Sequence, residues 1–199
     1  DLASEGHTHA VLVPAFLTSA HHVRVDVPRV VAHAEAHTDL RFTVTAALGP
    51  DPSLVDAMAR SLPLTGPLVL ACAGTRDAFA VEQLQRLASE WAAVRGTDVV
   101  VAHAAMGSPD VPTAIRDLTR DGEPAPSVAS YLLFPGVLGD RIAHAADGLV
   151  ITAPIGDDAG DAVLLRVQPA AAALAPAAAA DSMTSSSRSP WAAETNQAS

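Results

Sequence analysis

The sequence predicts an α/β fold of tandem subdomains with parallel sheets, and three observations carry that expectation. Short apolar runs alternate strictly with longer segments of helical periodicity from His9 to Val167. An internal repeat lays Val44-Thr-Ala-Ala-Leu-Gly-Pro-Asp51 over Ile151-Thr-Ala-Pro-Ile-Gly-Asp-Asp158, matching Thr45 with Thr152, Ala46 with Ala153, Gly49 with Gly156 and Asp51 with Asp158. The 199 residues are 49% apolar and only 17% charged, ample for a sizeable core.

In chain order, Asp1 to Gly6 reads as the tail of a helix closing on glycine, which suggests a cut N-terminus. An apolar strand follows over about His9 to Phe16, then a helix from His22 to His37. The strand at Arg41 to Ala47 ends in the first copy of the repeat, where Gly49 permits a tight turn and Asp51 can cap a helix over Pro52 to Ser61. The run Pro67 to Cys72 has the length and composition of a buried strand, and Asp77 suits the N-cap of a helix over Ala78 to Arg95. Strands at Thr97 to Ala102, Ser127 to Phe134 and Leu149 to Ala153 alternate with helices at Val111 to Arg120, Leu138 to Ala146 and Asp158 to Val167.

A looser match places Ala15-Phe-Leu-Thr-Ser-Ala-His-His22 over Tyr131-Leu-Leu-Phe-Pro-Gly-Val-Leu138, again a strand leading through a loop into a helix. The chain therefore divides into a partial first unit over 1–65, with two strands, and a second unit over 66–168, with four. Symmetry implies that two strands of the first unit are absent from the start of this chain. From Pro169 to Ser199 the composition collapses to Ala, Pro and Ser, a disordered tail with too little bulk to bury.

A net charge of −10 without any cluster of basic and aromatic residues argues against nucleic acid. No apolar stretch reaches the roughly 18 residues of a membrane span, and no signal core follows the polar start. The one cysteine, Cys72, lies in an apolar run and reads as core, so neither a disulfide framework nor a cysteine metal cage is expected. A soluble protein of the reduced cytoplasm fits these features.

The residues with chemical potential gather in His21-His-Val-Arg-Val-Asp26, just after the first strand, where open α/β sheets place their ligand crevices. Neutral imidazole serves as a ligand for borderline divalent metals or as a base near pH 7. Neighbours on a helix diverge by about 100°, so only one of His21 and His22 should face the crevice. Arg24 can hold carboxylates in a bidentate fork, with Arg76 and Arg141 as weaker candidates. Asp26 either favours the helix dipole or stands behind His22 or the metal and orients it, and Ser19 either caps the helix or meets substrate. His7 and His9 read as solvated, and His33, His37, His103 and His144 as surface or interdomain residues without ligand pairing.

These segments, with Ala71-Cys-Ala-Gly-Thr-Arg-Asp77 and Ala129-Ser-Tyr-Leu-Leu-Phe-Pro-Gly-Val-Leu-Gly-Asp-Arg-Ile142, resemble the sirohydrochlorin chelatases of the CbiX type, particularly their two-repeat actinobacterial forms. The resemblance spans about Gly6 to Val167. It implies chelatase-like tandem α/β subdomains, the first incomplete, and a lyase that inserts Co²⁺ or Fe²⁺ into sirohydrochlorin in cobalamin or siroheme biosynthesis. It assigns metal binding and uptake of pyrrole protons to the position of His22; on the residues alone His21 could be the ligand instead. In the family a second histidine acts from a His-Gly-Ser/Thr motif ending the first strand, which here would precede Asp1. The second-repeat version of that motif aligns with Ala73-Gly-Thr75, where alanine replaces histidine.

No cofactor is expected beyond the divalent metal substrate, since neither a phosphate loop nor a dinucleotide fingerprint is present. The expected partner is the tetrapyrrole alone, with no nucleic acid and no membrane, and a monomer is expected because two repeats can form a full crevice. The alternative is a non-catalytic family member that carries tetrapyrrole or metal, favoured by Ala73 and the short first unit. A two-lobed small-molecule binder of periplasmic type ranks below both for want of an export signal.

Overall fold

In the computed structural model, which describes residues 2–3 and 5–174, the apolar run from Leu68 to Cys72 lies at the centre of the larger sheet. It forms β3 (Leu68–Gly74), flanked in parallel by β4 (Val99–Met106) and β5 (Ser127–Tyr131) in the order β4-β3-β5. A central parallel strand is covered on both faces, so successive side chains must all be apolar. Leu68, Leu70 and Cys72 meet Leu84, Leu87 and Trp91 of α3 (Ala78–Arg95). Val69 and Ala71 face the other way, onto Val111 and Ala114 of α4 (Val111–Leu118) and Ile142 of α5 (Val137–Ala145).

The smaller sheet pairs β1 (His9–Leu12) in parallel with β2 (Arg41–Val44). β1 stops short of Phe16 because Pro14 has no ladder donor and the Phe16 N–H turns back onto the Pro14 carbonyl at 2.8 Å. The connection between the strands opens as a π-helical turn at His22–Asp26, with the Val27 N–H reaching five residues back to the His22 carbonyl, and continues as α1 (Val27–His37). Pro28 explains the wide turn: it cannot donate to the Arg24 carbonyl, and its ring pushes that carbonyl away. Asp51 caps α2 (Pro52–Ala59) by accepting from the Ser53 N–H at 2.9 Å. α2 packs against the same core face of β3 as α3.

The strand expected at Leu149 to Ala153 is reduced to a single bridge between Val128 and Ile151. The Thr152 hydroxyl, rather than a backbone carbonyl, accepts from the Ser130 N–H at 3.0 Å, and Pro154 ends any further pairing. β4 runs four residues beyond the expected end at Ala102. The repeat is also imperfect, since Asp158 lies in a 3₁₀ turn over Gly156–Ala159 where Asp51 caps a helix. α6 (Gly160–Leu174) continues through Pro169, so the first six residues of the expected disordered tail are helical. Alanine is the strongest helix former and sustains the run at Ala170 to Ala173. The rest of that tail, 175–199, lies outside the described residues. Among the described residues no helix is long and apolar enough to cross a membrane.

Candidate metal and tetrapyrrole cleft

The loop after β1 crosses the carboxyl ends of β3, β4 and β5 and encloses a cleft of about 720 Å³ with them. Its position is the one expected of an open parallel sheet, outside the ends of the strands. Phe16 and the two histidines border one side, and the other side carries Phe134 and Val137. Met106, Phe134 and Val137 are all exposed, so the mouth is apolar. The loop is fixed across the two units: the Ser19 N–H donates to Gln83 Oε1 at 3.0 Å and the Tyr131 hydroxyl donates to the Leu17 carbonyl at 3.4 Å. Gly49 is required beneath it, because a Cβ there would lie 2.7 Å from both the Leu17 oxygen and the Tyr131 hydroxyl.

His22 Nδ1–H donates to Asp26 Oδ2 at 2.7 Å, one helical turn on. This bond holds the Asp26 carboxyl below its ordinary pKa, with the charges of His21 and Arg29 adding to the effect. An ionised Asp26 fixes the proton of a neutral His22 on Nδ1 and leaves Nε2 as a lone pair for a metal or a proton. The His22 ring is 70% exposed and lies parallel to Phe16, at 6.2 Å between centroids and 14° between planes. His21 also lines the cleft, its ring edge-on to His22 at 6.4 Å, contrary to the expectation that only one of the pair would face it. The cleft meets the end of the helical segment rather than one of its sides, so both residues of the opening turn border it.

Arg24 does not line the cleft. Its guanidinium donates to Asp77 at the N-terminus of α3 and lies over the Phe79 ring at 5.2 Å, a contact that ties the two units together. Asp77 also accepts from the Phe79 and Ala80 N–H groups. Burial works to raise the Asp77 pKa, but the Ala80 N–H and the Arg24 guanidinium outweigh it and leave the carboxyl below its ordinary value. Thr18 and Ala20 line the cleft and Ser19 between them does not, and the residue at the head of the helical turn, His21, makes no side-chain cap. Arg141 is exposed on α5 and does not line the cleft, although Val137, Leu138 and Gly139 of that helix do.

Arg76 is the arginine that lines the cleft. The chain has twelve arginines and no lysine, and among the described residues lining the cleft Arg76 is the one permanent cation. It is exposed and has no ion-pair partner among the described residues, since the adjacent Asp77 is taken by Arg24. Cys72, also in the cleft wall, is buried, and burial pushes its thiol up to about 12. Burial likewise raises the Tyr131 phenol, so neither is an acid or base near neutral pH.

Of the histidines read as surface or interdomain residues without ligand pairing, two are paired and one is buried. The rings of His33 and His37 lie together on α1 at 4.2 Å between centroids, tilted by 38°, a relation their four-residue spacing already contained. His103 on β4 is only 4% exposed, and burial lowers its pKa.

The sequence model of the CbiX family matches residues 1–63 and 67–168. Among solved structures, the chain is similar to SirB from Bacillus subtilis with Fe³⁺, at 22% identity and a TM-score of 0.75 over 86% of this chain and 75% of that one. It is also similar to the sirohydrochlorin chelatase SirB from Bacillus subtilis subspecies spizizenii in complex with cobalt, at 23% identity and a TM-score of 0.69 over 85% and 72%. No curated protein matches. The solved structures share the fold, and the family match runs through both sheets and the cleft between them: the chain belongs to the CbiX family.

Proposed function

We propose that the protein is a sirohydrochlorin chelatase that places Co²⁺ or Fe²⁺ in a tetrapyrrole held in this cleft. The observation that carries the reading is His22, fixed at Nδ1 by Asp26 and stacked on Phe16 at the cleft mouth. Membership of the CbiX family and the likeness to SirB support it. Insertion joins a divalent ion to four ring nitrogens and releases two pyrrole N–H protons. His22 Nε2 can deliver the ion or accept a proton, and His21 offers a second nitrogen beside it. Asp26 stabilises the imidazolium that forms when His22 takes a proton, and the proton then passes to water at the exposed ring.

The aromatic and aliphatic mouth suits the faces of a flat macrocycle, and the guanidinium of Arg76 suits its peripheral carboxylates. In this reading Arg76 takes the substrate-binding role first expected of Arg24, and Arg24 positions the cleft wall through Asp77. The reaction needs no cofactor beyond the metal substrate. The working form is a cytoplasmic monomer, a reading supported by a cleft whose two walls come from one chain.

A second reading, a member that binds tetrapyrrole or metal without completing insertion, draws on Ala73, which puts a methyl group in the cleft where the family motif has an imidazole. Following the sirohydrochlorin spectrum after adding Co²⁺ or Fe²⁺ separates the two. Acceleration over the protein-free rate supports the chelatase. Tight binding of sirohydrochlorin with no acceleration supports the binder.

A further inference from the structure

We infer that α1 carries a transition-metal site outside the cleft, formed by His33 and His37. Residues four apart on a helix share one face, and two histidines at that spacing can close a chelate on one ion. The two rings already lie together at 4.2 Å between centroids. His37 Nδ1 is 2.7 Å from the His33 carbonyl oxygen, and because a carbonyl only accepts, Nδ1 carries the proton. The lone pair of His37 is therefore on Nε2, facing away from the helix backbone. No partner occupies the His33 ring nitrogens among the described residues, and both residues are exposed.

The end of the helix favours a cation. His37 ends α1, where backbone carbonyls give the helix its negative pole. That end is rigid: Glu35 Oε1 accepts from the Phe42 N–H of β2 at 2.9 Å, and the Thr38 hydroxyl donates to the Ala34 carbonyl at 2.9 Å. The rings are thus held on a helix locked to its neighbouring strand, which lowers the ordering cost of chelation. His33 is eleven residues beyond His22, roughly 15 Å along the helical axis, so one ion cannot bridge the pair and the cleft. Two imidazoles select a borderline ion such as Co²⁺, Ni²⁺, Cu²⁺ or Zn²⁺ over Mg²⁺ or Ca²⁺, with water completing the coordination.

The test is Ni²⁺ titration by calorimetry on the full chain and on His33→Ala, His37→Ala, the double variant and His22→Ala. The expected result is one equivalent of Ni²⁺ that survives His22→Ala and weakens by about tenfold or more in each α1 single variant, at least the loss seen when only a residue behind a metal ligand is removed. The double variant is expected to match the singles, because either loss opens the chelate. Circular dichroism checks that the exposed substitutions leave the fold intact. Binding that is unchanged by either α1 substitution, that weakens in one of them alone, or that vanishes entirely once His22 is replaced overturns the inference. None of these outcomes depends on metal insertion, so the α1 site stands or falls independently of the chelatase reading.

Discussion

Replacing Arg166 with Met removes the clamp that joins α6 to the loop before α2. Arg166 Nε donates to the Ala47 carbonyl at 3.1 Å, and Nη2 donates to the Leu48 carbonyl at 3.3 Å and to Asp51 Oδ2 at 2.9 Å. The side chains of Arg166 and Asp51 are only 22% and 17% exposed, so water replaces these bonds poorly. Charge-assisted bonds contribute about 1.5–3 kcal/mol net, and carbonyls left in partial contact with water lose less, for a total of about 2–4 kcal/mol. A protein of this size loses roughly 2–4 °C of Tm per kcal/mol, which sets a fall of roughly 5–15 °C by calorimetry.

The pH dependence gives a second check on the same residue. Burial raises the Asp51 pKa, but Ser53 and Arg166 together hold it below its unfolded value of 3.8. Its contribution is therefore complete above about pH 4 and is lost as the pH falls through the depressed native value. Removing Arg166 narrows the gap between the two pKa values. The stability difference between Arg166→Met and the unaltered protein should shrink on acidification below about pH 4. A variant within about 0.5 kcal/mol of the unaltered protein at pH 7 would refute the clamp, since that is the scale of an unremarkable surface change.

Three further outcomes are expected. Arg76→Gln should raise KM for a carboxylate-bearing tetrapyrrole about tenfold or more, the cost of losing a charged hydrogen-bond pair, while Tm stays unchanged because Arg76 has no ion-pair partner among the described residues; an unchanged KM would remove Arg76 from substrate binding. Gly49→Ala should cost about 1–3 kcal/mol in urea unfolding, as its Cβ forces Leu17 and Tyr131 apart; unaltered stability would mean the loop is not packed as described. Cys72, with its thiol pushed up to about 12, should resist alkylation at pH 8 in the native protein and react on unfolding; fast native labelling would contradict its burial.

The alternation of strands and helices was legible because buried parallel strands must be apolar on both faces, as Leu68 to Cys72 are. The helix-opening Asp51 and Asp77 were legible for a similarly local reason, since each caps through its own following amides. What sequence periodicity missed depended on groups distant along the chain. Arg24 looked free for substrate until the fold brought Asp77, 53 residues away, to its guanidinium. The Leu149 to Ala153 run looked like a strand until the Thr152 side chain replaced the ladder acceptor. Arg166 gave no local signal at all, because its three acceptors lie more than 110 residues upstream. The pairing of His33 with His37 was present in the sequence as a four-residue spacing and needed only that spacing to be weighed.

The most direct measurement is the rate of Co²⁺ insertion into sirohydrochlorin by the unaltered protein, His22→Ala and His21→Ala, at saturating substrate with sirohydrochlorin affinity measured in parallel. Loss of a positioned base costs about 10²–10⁴ in rate. A loss on that scale is expected in His22→Ala with sirohydrochlorin binding retained, and a smaller loss in His21→Ala, which has no carboxylate partner among the described residues. Equal rates for His22→Ala and the unaltered protein would contradict it, as would a protein that never exceeds the uncatalysed rate.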